Sequence, residues 1–230
     1  MKAALAAMPT CKGLVLDLDG TLIDTLPDIT DALNLWLHER GLASLDTKQV
    51  RGFIGGGTRA MLRTVSAAQQ LVWDEAWHGE YLTIYEQGLT QRSRPFTGVL
   101  ALLEQCQAQG LPMSIVTNKS QAMAIRIVET LLPGIHFAAL VGATPYRALK
   151  PDPQGALVAT AQMGVKPHTC LMVGDTSLDV LTARAAGMRA GAALWGYERE
   201  HELLSHAPHL VFKDPGALAK FLVDRSPILS

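Results

Sequence analysis

This sequence contains few cysteines, no excess of charge of either sign and no long apolar run. The three cysteines, Cys11, Cys106 and Cys170, lie far apart and form no CxxC pair, which is typical of reduced thiols in a cytoplasmic protein. Lysine and arginine number 20 against 21 aspartates and glutamates, and this balance argues against nucleic acid as a partner. No run approaches the ~18 consecutive apolar residues that a membrane-spanning helix needs.

Apolar residues are abundant by contrast. They make up 48% of the 230 residues, while charged residues make up 18%, and this composition excludes a disordered chain. The length predicts one domain with a smaller one beside it. The first ten residues, MKAALAAMPT, contain an apolar stretch that is too short for a signal peptide, so we expect no targeting segment.

Short runs of small and β-branched apolar residues predict buried strands at 14–18, 113–117, 138–142 and 170–174, with weaker ones at 190–194 and 210–212. Helical stretches alternate with these runs, at 99–109, 121–131, 154–163 and 178–186. Glycines that would end three of these helices follow at 110, 164 and 187. The alternation predicts an α/β fold with a doubly wound parallel sheet.

The stretch from residue 27 to about residue 91 breaks this alternation, because it contains no convincing strand. Apolar and aromatic residues recur there at helical spacing, namely Ile29, Leu33 and Leu37, and then Trp73, Trp77, Tyr81 and Ile84. We interpret the aromatic stripe as the core of a helical insert. The sequence thus predicts an α/β core formed by residues 1–26 and 92–230, and an all-helical domain formed by residues 27–91.

Two aspartates stand at the end of the first predicted strand, in the segment Asp17-Leu18-Asp19-Gly20-Thr21. Carboxylates this close repel each other unless a cation lies between them. A hard divalent ion with oxygen ligands, above all Mg²⁺, is the natural occupant of such a site. Gly20 lets the backbone approach a ligand closely and offers its N–H group.

A second aspartate pair follows the fourth apolar run, in the segment GDTSLD at 174–179. Asp175 stands at the strand end, and Asp179 follows one helical turn later and faces the same region. This pair therefore offers further oxygen ligands.

A parallel sheet brings these residues together, because the strand ends that carry Asp17, Asp19, Thr117 and Asp175 meet at one edge. Open α/β sheets bind their ligands at that edge. Lys150 can supply the cation that an acidic site needs, while Thr117 and Asn118 can supply a hydroxyl group and backbone donors for an anion.

These segments together resemble the signature of the haloacid-dehalogenase-like hydrolase superfamily. Its motifs occur in order as DLDGT at 17–21, VTN at 116–118, KP at 150–151 and GDTSLD at 174–179. Four motifs in the right order make coincidence negligible. The resemblance implies a Rossmann-like core, and the helical insert resembles the small helical cap of this superfamily.

Within that superfamily the sequence is most similar to the phosphoglycolate phosphatases. The segments DGTLIDT, TNK and KPDP all fit that subgroup, and the resemblance covers the chain from about residue 12 to residue 221. Leu178 departs from the pattern, because many of those phosphatases carry Asn there.

The resemblance implies a role for each motif residue. Asp17 would attack the phosphorus and form an aspartyl phosphate, while Asp19 would protonate the leaving oxygen and then deprotonate the attacking water. Phosphoryl oxygens would be bound by Gly20, Thr117, Asn118 and Lys150. Mg²⁺ would be held by Asp17, by the main-chain carbonyl of Asp19 and by Asp175, with Asp179 acting indirectly or through water.

The glycine run at 55–57 is the best candidate for substrate selection in the insert. We expect the N–H groups of Gly56 and Gly57 and the side chain of Arg59 to meet an anionic group of the substrate. A flexible turn in which Thr58 caps the next helix is the alternative. Lys119 is expected to be exposed in the first turn of the helix after the second motif, and a contact with the phosphate is the alternative.

The sequence therefore predicts a Mg²⁺-dependent phosphatase of a small phosphorylated metabolite, with 2-phosphoglycolate as the first candidate. One alternative is a β-phosphoglucomutase-like phosphomutase, although such enzymes usually carry Ser-Ala where this chain has Thr117-Asn118. Another is a non-catalytic phosphate-binding module on the same fold, which would not need both Asp17 and Asp19. Dehalogenation is disfavoured because it needs no proton shuttle at Asp19. We expect a monomer or a homodimer, with no nucleic-acid or membrane partner.

Overall fold

A six-stranded parallel sheet forms the centre of the computed structural model, which describes residues 11–224. Its strands and a separate two-stranded ribbon are, in chain order, β1 (Gly13–Leu16), β2 (Ile23–Asp24), β3 (Arg94–Pro95), β4 (Met113–Ser120), β5 (Ala139–Ala143), β6 (Cys170–Gly174), β7 (Arg189–Ala193) and β8 (Leu210–Phe212). The order across the large sheet is β5-β4-β1-β6-β7-β8, and all neighbours are parallel. β1 therefore lies between β4 and β6, where Leu14 faces Met113 on one side and Leu171 on the other.

All six apolar runs that were predicted to be strands pair in this sheet, which confirms the α/β class. The first run is extended only as far as Leu16. β4 instead continues three residues beyond the predicted end at Thr117, as far as Ser120. This extension places Lys119 on a strand rather than in a helix.

The helices are, in chain order, α1 (Leu26–His38), α2 (Thr47–Arg51), α3 (Thr58–Ala68), α4 (Ala76–Gly88), α5 (Val99–Ala108), α6 (Gln121–Leu131), α7 (Gln154–Met163), α8 (Ser177–Ala185), α9 (Glu200–Ser205) and α10 (Pro215–Val223). The four core helices predicted from the sequence, α5 to α8, agree with these bounds to within one residue. Gly110, Gly164 and Gly187 take φ angles of 65°, 68° and 70°, as expected of residues that end helices. Between residues 11 and 224, no helix has the length and apolar character needed to cross a bilayer.

Two clusters of buried apolar side chains cover the two faces of the sheet, because successive strand residues point to opposite faces. Leu14 and Leu16 belong to one cluster and Val15 to the other. The first cluster continues into the insert, where it includes Trp36 and Tyr81. The insert and the sheet thus share one apolar interior.

The stretch predicted to be a helical insert contains α1 to α4, and the described residues 26–88 include no strand. Its aromatic residues pack together: the Trp36 and Trp77 rings meet edge to face at 5.6 Å, and Tyr81 and Tyr85 are fully buried. The ribbon of β2 and β3 lies where we expect the chain to enter and leave the insert. The division at residues 27 and 91 stays a prediction.

Candidate active site

The main chain turns sharply after β1 and brings two aspartates to the carboxyl edge of the sheet. The Asp17 N–H group donates to the Val173 carbonyl of β6 at 3.0 Å, as if the strand continued. Gly20 then takes a φ angle of 86° and donates to the Ile23 carbonyl at 2.9 Å, which closes the turn. Asp17 is consequently buried, whereas Asp19 keeps some exposure.

Lys150 places a positive charge between two of the carboxylates. Its buried Nζ lies 2.8 Å from Asp17 Oδ1 and 2.6 Å from Asp179 Oδ1. Burial alone would lower the pKa of Lys150, but the two carboxylates together outweigh burial and hold that pKa above its ordinary value. Lys150 is therefore protonated at any physiological pH.

Thr117 and Asn118 lie on β4 and line the same cavity as Asp17. The Asn118 side chain accepts the main-chain N–H of Lys150 at 2.7 Å and donates to the Gly55 carbonyl at 3.1 Å. Asn118 thus connects the β4 end with the Lys150 backbone and with the insert. Its own N–H group and the Thr117 hydroxyl are the donors that can face an anion.

Asp175 and Asp179 stand at the end of β6 and in the first turn of α8. Asp175 Oδ1 accepts from Thr21 Oγ1 at 2.7 Å, and Asp175 Oδ2 accepts from the Tyr197 N–H at 2.8 Å. Asp179 Oδ2 accepts from the N–H and the Oγ1 of Thr176 at 3.1 and 2.7 Å, so it also caps α8. Both carboxylates are fixed in orientation by these bonds.

Two glycines enclose the Asp175 carboxylate so tightly that no other residue fits. A Cβ atom on Gly196 would lie 2.1 Å from the Asp175 Cβ, and one on Gly20 would lie 2.3 Å from Asp175 Oδ2. Gly196 belongs to no motif that the sequence revealed, because it lies 21 positions after the aspartate it contacts.

Asp17, Asp175 and Asp179 form a cluster that fits a divalent cation. Each offers one carboxylate oxygen, and these oxygens lie within 4.8 Å of one another. All three side chains are buried, and Lys150 offsets only part of their combined negative charge. Carboxylate oxygens are the ligands that Mg²⁺ prefers, so the residues present fit this ion.

Burial also controls the protonation of this cluster. It raises the pKa of Asp17 to about 7; Lys150 opposes this rise, while Asp179 and Asp19 add to it. The pKa of Asp175 is raised well above its ordinary value, by burial first and then by Asp17 and Asp179. A cation that binds among these carboxylates must displace protons near neutral pH.

Lys119 is a site residue that the sequence analysis placed wrongly. We expected an exposed side chain, but Lys119 is buried, and its Nζ lies 2.9 and 3.2 Å from the two carboxylate oxygens of Asp19. The same Nζ donates to the hydroxyl of Tyr85 in α4 at 2.8 Å. The reason is that β4 runs on to Ser120. Its pairing with β5 is irregular between Val116 and Ser120, and Thr117, Asn118 and Lys119 all line the cavity there.

Tyr197 is a second residue that the motifs did not reveal. Its hydroxyl accepts from the N–H groups of Thr25 and Leu26 at 2.7 and 3.0 Å and lies 3.0 Å from Asp24 Oδ1. These are the groups at the start of α1, which has no side-chain cap of its own. Thr25 Oγ1 in turn donates to Asp19 Oδ1 at 2.7 Å. Tyr197 thus joins the start of the insert to the acidic site.

The glycine run of the insert reaches the site only in part. Gly55, Gly57 and Thr58 line the cavity in front of Asp17, whereas Gly56 does not. Gly57 takes a φ angle of 84°, a conformation that favours glycine.

Arg59 does not line the cavity in front of Asp17 but lines a neighbouring groove. Its side chain is 52% exposed and forms an ion pair with Glu75. Successive residues of a helix lie about 100° apart, so the residue after Thr58 points to the side of α3. The expected contact between Arg59 and a substrate is not made in this arrangement.

A small cavity separates the sheet edge from the insert. On the core side it is lined by Asp17, Asp19, Thr117, Asn118, Lys119 and Lys150. On the insert side it is lined by Gly55, Gly57, Thr58, Ile29, Ile54, Met61, Tyr81 and Tyr85. Its volume is about 40 Å³, against about 500 and 400 Å³ for the two grooves that flank it. The arrangement presents two carboxylates and two ammonium groups to a small enclosed ligand.

Comparison with known proteins agrees with the motifs. The family model described as haloacid dehalogenase-like hydrolase matches residues 14–193. The chain is 36% identical to a phosphoglycolate phosphatase from Mesorhizobium japonicum, over 92% of this chain and 95% of that protein. It is 34% identical to an N-acetylmuramic acid 6-phosphate phosphatase from Pseudomonas putida, over 81% and 84%. The crystal structure of a predicted phosphoglycolate phosphatase from Haemophilus somnus 129PT is similar, with a TM-score of 0.83 and 25% identity, over 93% and 99% of the two chains.

Proposed function

The chain belongs to the haloacid dehalogenase-like hydrolase family, and we propose that it is a phosphatase of small phosphate monoesters, with 2-phosphoglycolate as the first candidate substrate. The names of its relatives support this activity. The observation that carries the proposal is the position of Asp17 and Asp19 in one cavity, each beside its own lysine. A non-catalytic binding module has no use for such a pair.

In the proposed first step a carboxylate oxygen of Asp17 attacks the phosphorus, and the bond from phosphorus to the ester oxygen breaks. Asp19 gives its proton to that leaving oxygen, and the alcohol departs. In the second step Asp19 takes a proton from water, whose oxygen attacks the phosphorus. The bond to Asp17 breaks, and inorganic phosphate is released.

Lys150, the Thr117 hydroxyl and the N–H group of Asn118 would bind the phosphoryl oxygens during both steps. The N–H group of Gly20, which the sequence also predicted as a donor, is already bonded to the Ile23 carbonyl, so Gly20 contributes the turn itself. Lys150 suits this role because its ammonium already lies 2.8 Å from the proposed nucleophile. Fixed donors in an enclosed site stabilise the charge that develops on transfer, without the cost of reordering water.

Asp17, Asp175 and the main-chain carbonyl of Asp19 would hold Mg²⁺, and Asp179 would orient them or bind the ion through water. The ion would supply positive charge beside the phosphoryl group. The three clustered carboxylates support this part of the proposal.

The helical stretch 27–91 would act as the cap of this phosphatase. The contacts of Asn118 with Gly55 and of Lys119 with Tyr85 link it to the core directly at the site. A cap in this position excludes bulk water and selects the leaving group.

Release of inorganic phosphate from 2-phosphoglycolate and from p-nitrophenyl phosphate, with Mg²⁺ present, tests the proposal. We expect the wild type to release phosphate from both and Asp17→Asn to release none, because an amide cannot form the acyl phosphate. Asp224→Asn, at an exposed position, is the matched control. Undiminished phosphate release by Asp17→Asn would contradict the proposed nucleophile.

A further inference from the structure

We propose that Lys119 and Tyr81 form a binding site for a carboxylate on the leaving group of the substrate, an inference that rests on the phosphatase function proposed above. The substrate class is then a short phosphate monoester whose alcohol carries a carboxylate. 2-Phosphoglycolate is the smallest ester of this kind. The site takes the place of the Arg59 contact that the sequence predicted.

The two lysines of the cavity face different parts of a bound ester. Lys150 lies beside Asp17, where the phosphoryl group must be, and it already contacts two carboxylates. Lys119 lies beside Asp19, which donates to the leaving oxygen in the proposed mechanism. Lys119 is therefore the cation nearest to the leaving group.

The Lys119 ammonium has the capacity to bind a further anion. Its side chain is only 2% exposed, and it carries three N–H donors. These donors face the two Asp19 carboxylate oxygens, at 2.9 and 3.2 Å, and the Tyr85 hydroxyl, at 2.8 Å. A ligand carboxylate in the cavity that Lys119 lines would take over the donor that now makes the longer contact with Asp19.

Tyr81 provides an independent indication of a ligand. Its hydroxyl is fully buried and has no hydrogen-bond partner within residues 11–224, and the Tyr81 side chain lines the same cavity. Its ring stacks on that of Tyr85, with the ring centres 5.8 Å apart. The two tyrosines lie one turn apart on α4 and face the same side of the helix. Burial raises the pKa of Tyr81 well above its ordinary value, so the hydroxyl keeps its proton and can donate. Buried hydroxyl groups are normally paired, and a ligand carboxylate would supply the missing acceptor.

The rest of the insert-side wall disfavours a large polar leaving group. Ile29, Ile54 and Met61 offer no hydrogen bonds to sugar hydroxyl groups, and the cavity is about a tenth of the size of the flanking grooves. A two- or three-carbon leaving group with one charged end fits this wall better than a sugar does.

The first test uses the wild type alone and compares two esters of equal length. 2-Phosphoglycolate carries the carboxylate, whereas 2-hydroxyethyl phosphate carries a neutral hydroxyl in its place. We expect kcat/KM to be at least about tenfold higher for 2-phosphoglycolate, because a charge-assisted hydrogen bond raises affinity by about tenfold or more. Equal values would overturn the carboxylate site while leaving the phosphatase intact. No phosphate release from either ester or from p-nitrophenyl phosphate would instead overturn the proposed function.

The second test asks which residues produce that preference. Lys119→Met and Tyr81→Phe keep the size of each side chain, and each should reduce the preference for 2-phosphoglycolate by about tenfold. Lys166→Met and Tyr146→Phe, both at exposed positions, are the matched controls and should retain the wild-type preference.

An equal fall in kcat/KM for both esters in Lys119→Met would overturn the assignment, because Lys119 would then act only through Asp19. A preference that falls in Arg59→Met but not in Lys119→Met would overturn it too. Thermal denaturation checks that each variant is folded. Should Lys119→Met fail to fold, Tyr81→Phe and the wild-type comparison decide the question.

Discussion

Asn118 Oδ1 accepts the main-chain N–H of Lys150 at 2.7 Å, and Asn118 Nδ2 donates back to the Lys150 carbonyl at 3.2 Å. The Asn118 amide on β4 therefore holds both the main-chain N–H and the main-chain carbonyl of Lys150, whose ammonium lies between two aspartates. The position of that ammonium depends on the amide as well as on the carboxylates.

Asn118→Ala and Lys150→Ala should consequently be non-additive. Lys150→Ala should slow turnover and weaken inhibition by phosphate and by vanadate, because the phosphoryl site loses its cation. We expect Asn118→Ala to reproduce part of this loss, and the double variant to cost less than the sum, with a coupling of about 0.5–3 kcal/mol. Inhibition constants in the four proteins measure the coupling. Fully additive losses would show that Asn118 does not act through Lys150.

Asp17 and Asp19 should differ in their dependence on the leaving group. The steady-state rate of Asp19→Asn with alkyl phosphates should fall roughly 10²–10⁴-fold, which is the usual contribution of general acid–base catalysis. Its loss should be smaller with p-nitrophenyl phosphate, since p-nitrophenolate departs without a proton. Steady-state rates with both esters provide the measurement, and Asp17→Asn, which should fail with both, is the reference. A uniform loss in Asp19→Asn would exclude Asp19 as the proton donor.

Mg²⁺ affinity should depend on pH through Asp17. The pKa of Asp17 lies at about 7, because burial disfavours its charged form, so protons compete with the cation below that pH. Affinity should therefore rise between pH 6 and pH 8, and binding should release protons. Calorimetric titrations in two buffers of different ionisation enthalpy measure both effects. Affinity that is constant over this range would argue against a metal at Asp17.

Removal of the metal should abolish turnover reversibly. Chelation should stop phosphate release and Mg²⁺ should restore it, whereas Ca²⁺ should inhibit because its larger and looser coordination shell displaces the nucleophile. Full activity after exhaustive chelation would contradict the proposed cofactor.

Tyr197→Phe should destabilise the protein, because the Thr25 N–H loses its buried acceptor and the Leu26 N–H keeps only a long contact of 3.4 Å with Asp24 Oδ1. The expected cost is about 1–3 kcal/mol in the free energy of unfolding. Urea denaturation measures it, with Tyr146→Phe as the control, since Tyr146 is 95% exposed. An unchanged midpoint would show that other groups cap α1.

The residues at the strand ends could be predicted from the sequence, because topology alone brings them together. Once Leu14 and Leu171 are recognised as parts of parallel strands, Asp17 and Asp175 must meet at one edge. The same reasoning predicts the position of Thr117, whereas Lys150 is inferred from the cation that an acidic site needs. The glycines at 110, 164 and 187 predict where α5, α7 and α8 end, because glycine commonly ends a helix.

The residues that the sequence analysis missed depend on where an element ends or on long-range packing. Lys119 was misplaced because an apolar run does not show that its strand continues as far as Ser120. Tyr81 belongs to an aromatic stripe whose spacing is the same whether a ring packs in the core or on the wall of a cavity. Tyr197 acts on α1 across 172 positions of sequence, and no local pattern records such a contact.

The central place of β1 has a consequence for how the protein gains its activity. The carboxylates at 17 and 179 meet only after β1 has paired with β6, and Thr117 joins them only after β1 has paired with β4. Both partners of β1 are distant from it in the chain. Long loops must close before the hydrogen bonds of these parallel pairs can stabilise the chain, so the pairs form slowly. During synthesis, a chain that has not yet reached β6 lacks Asp175 and Asp179 altogether. The protein is thus expected to remain inert toward cellular phosphate esters until its sheet is complete.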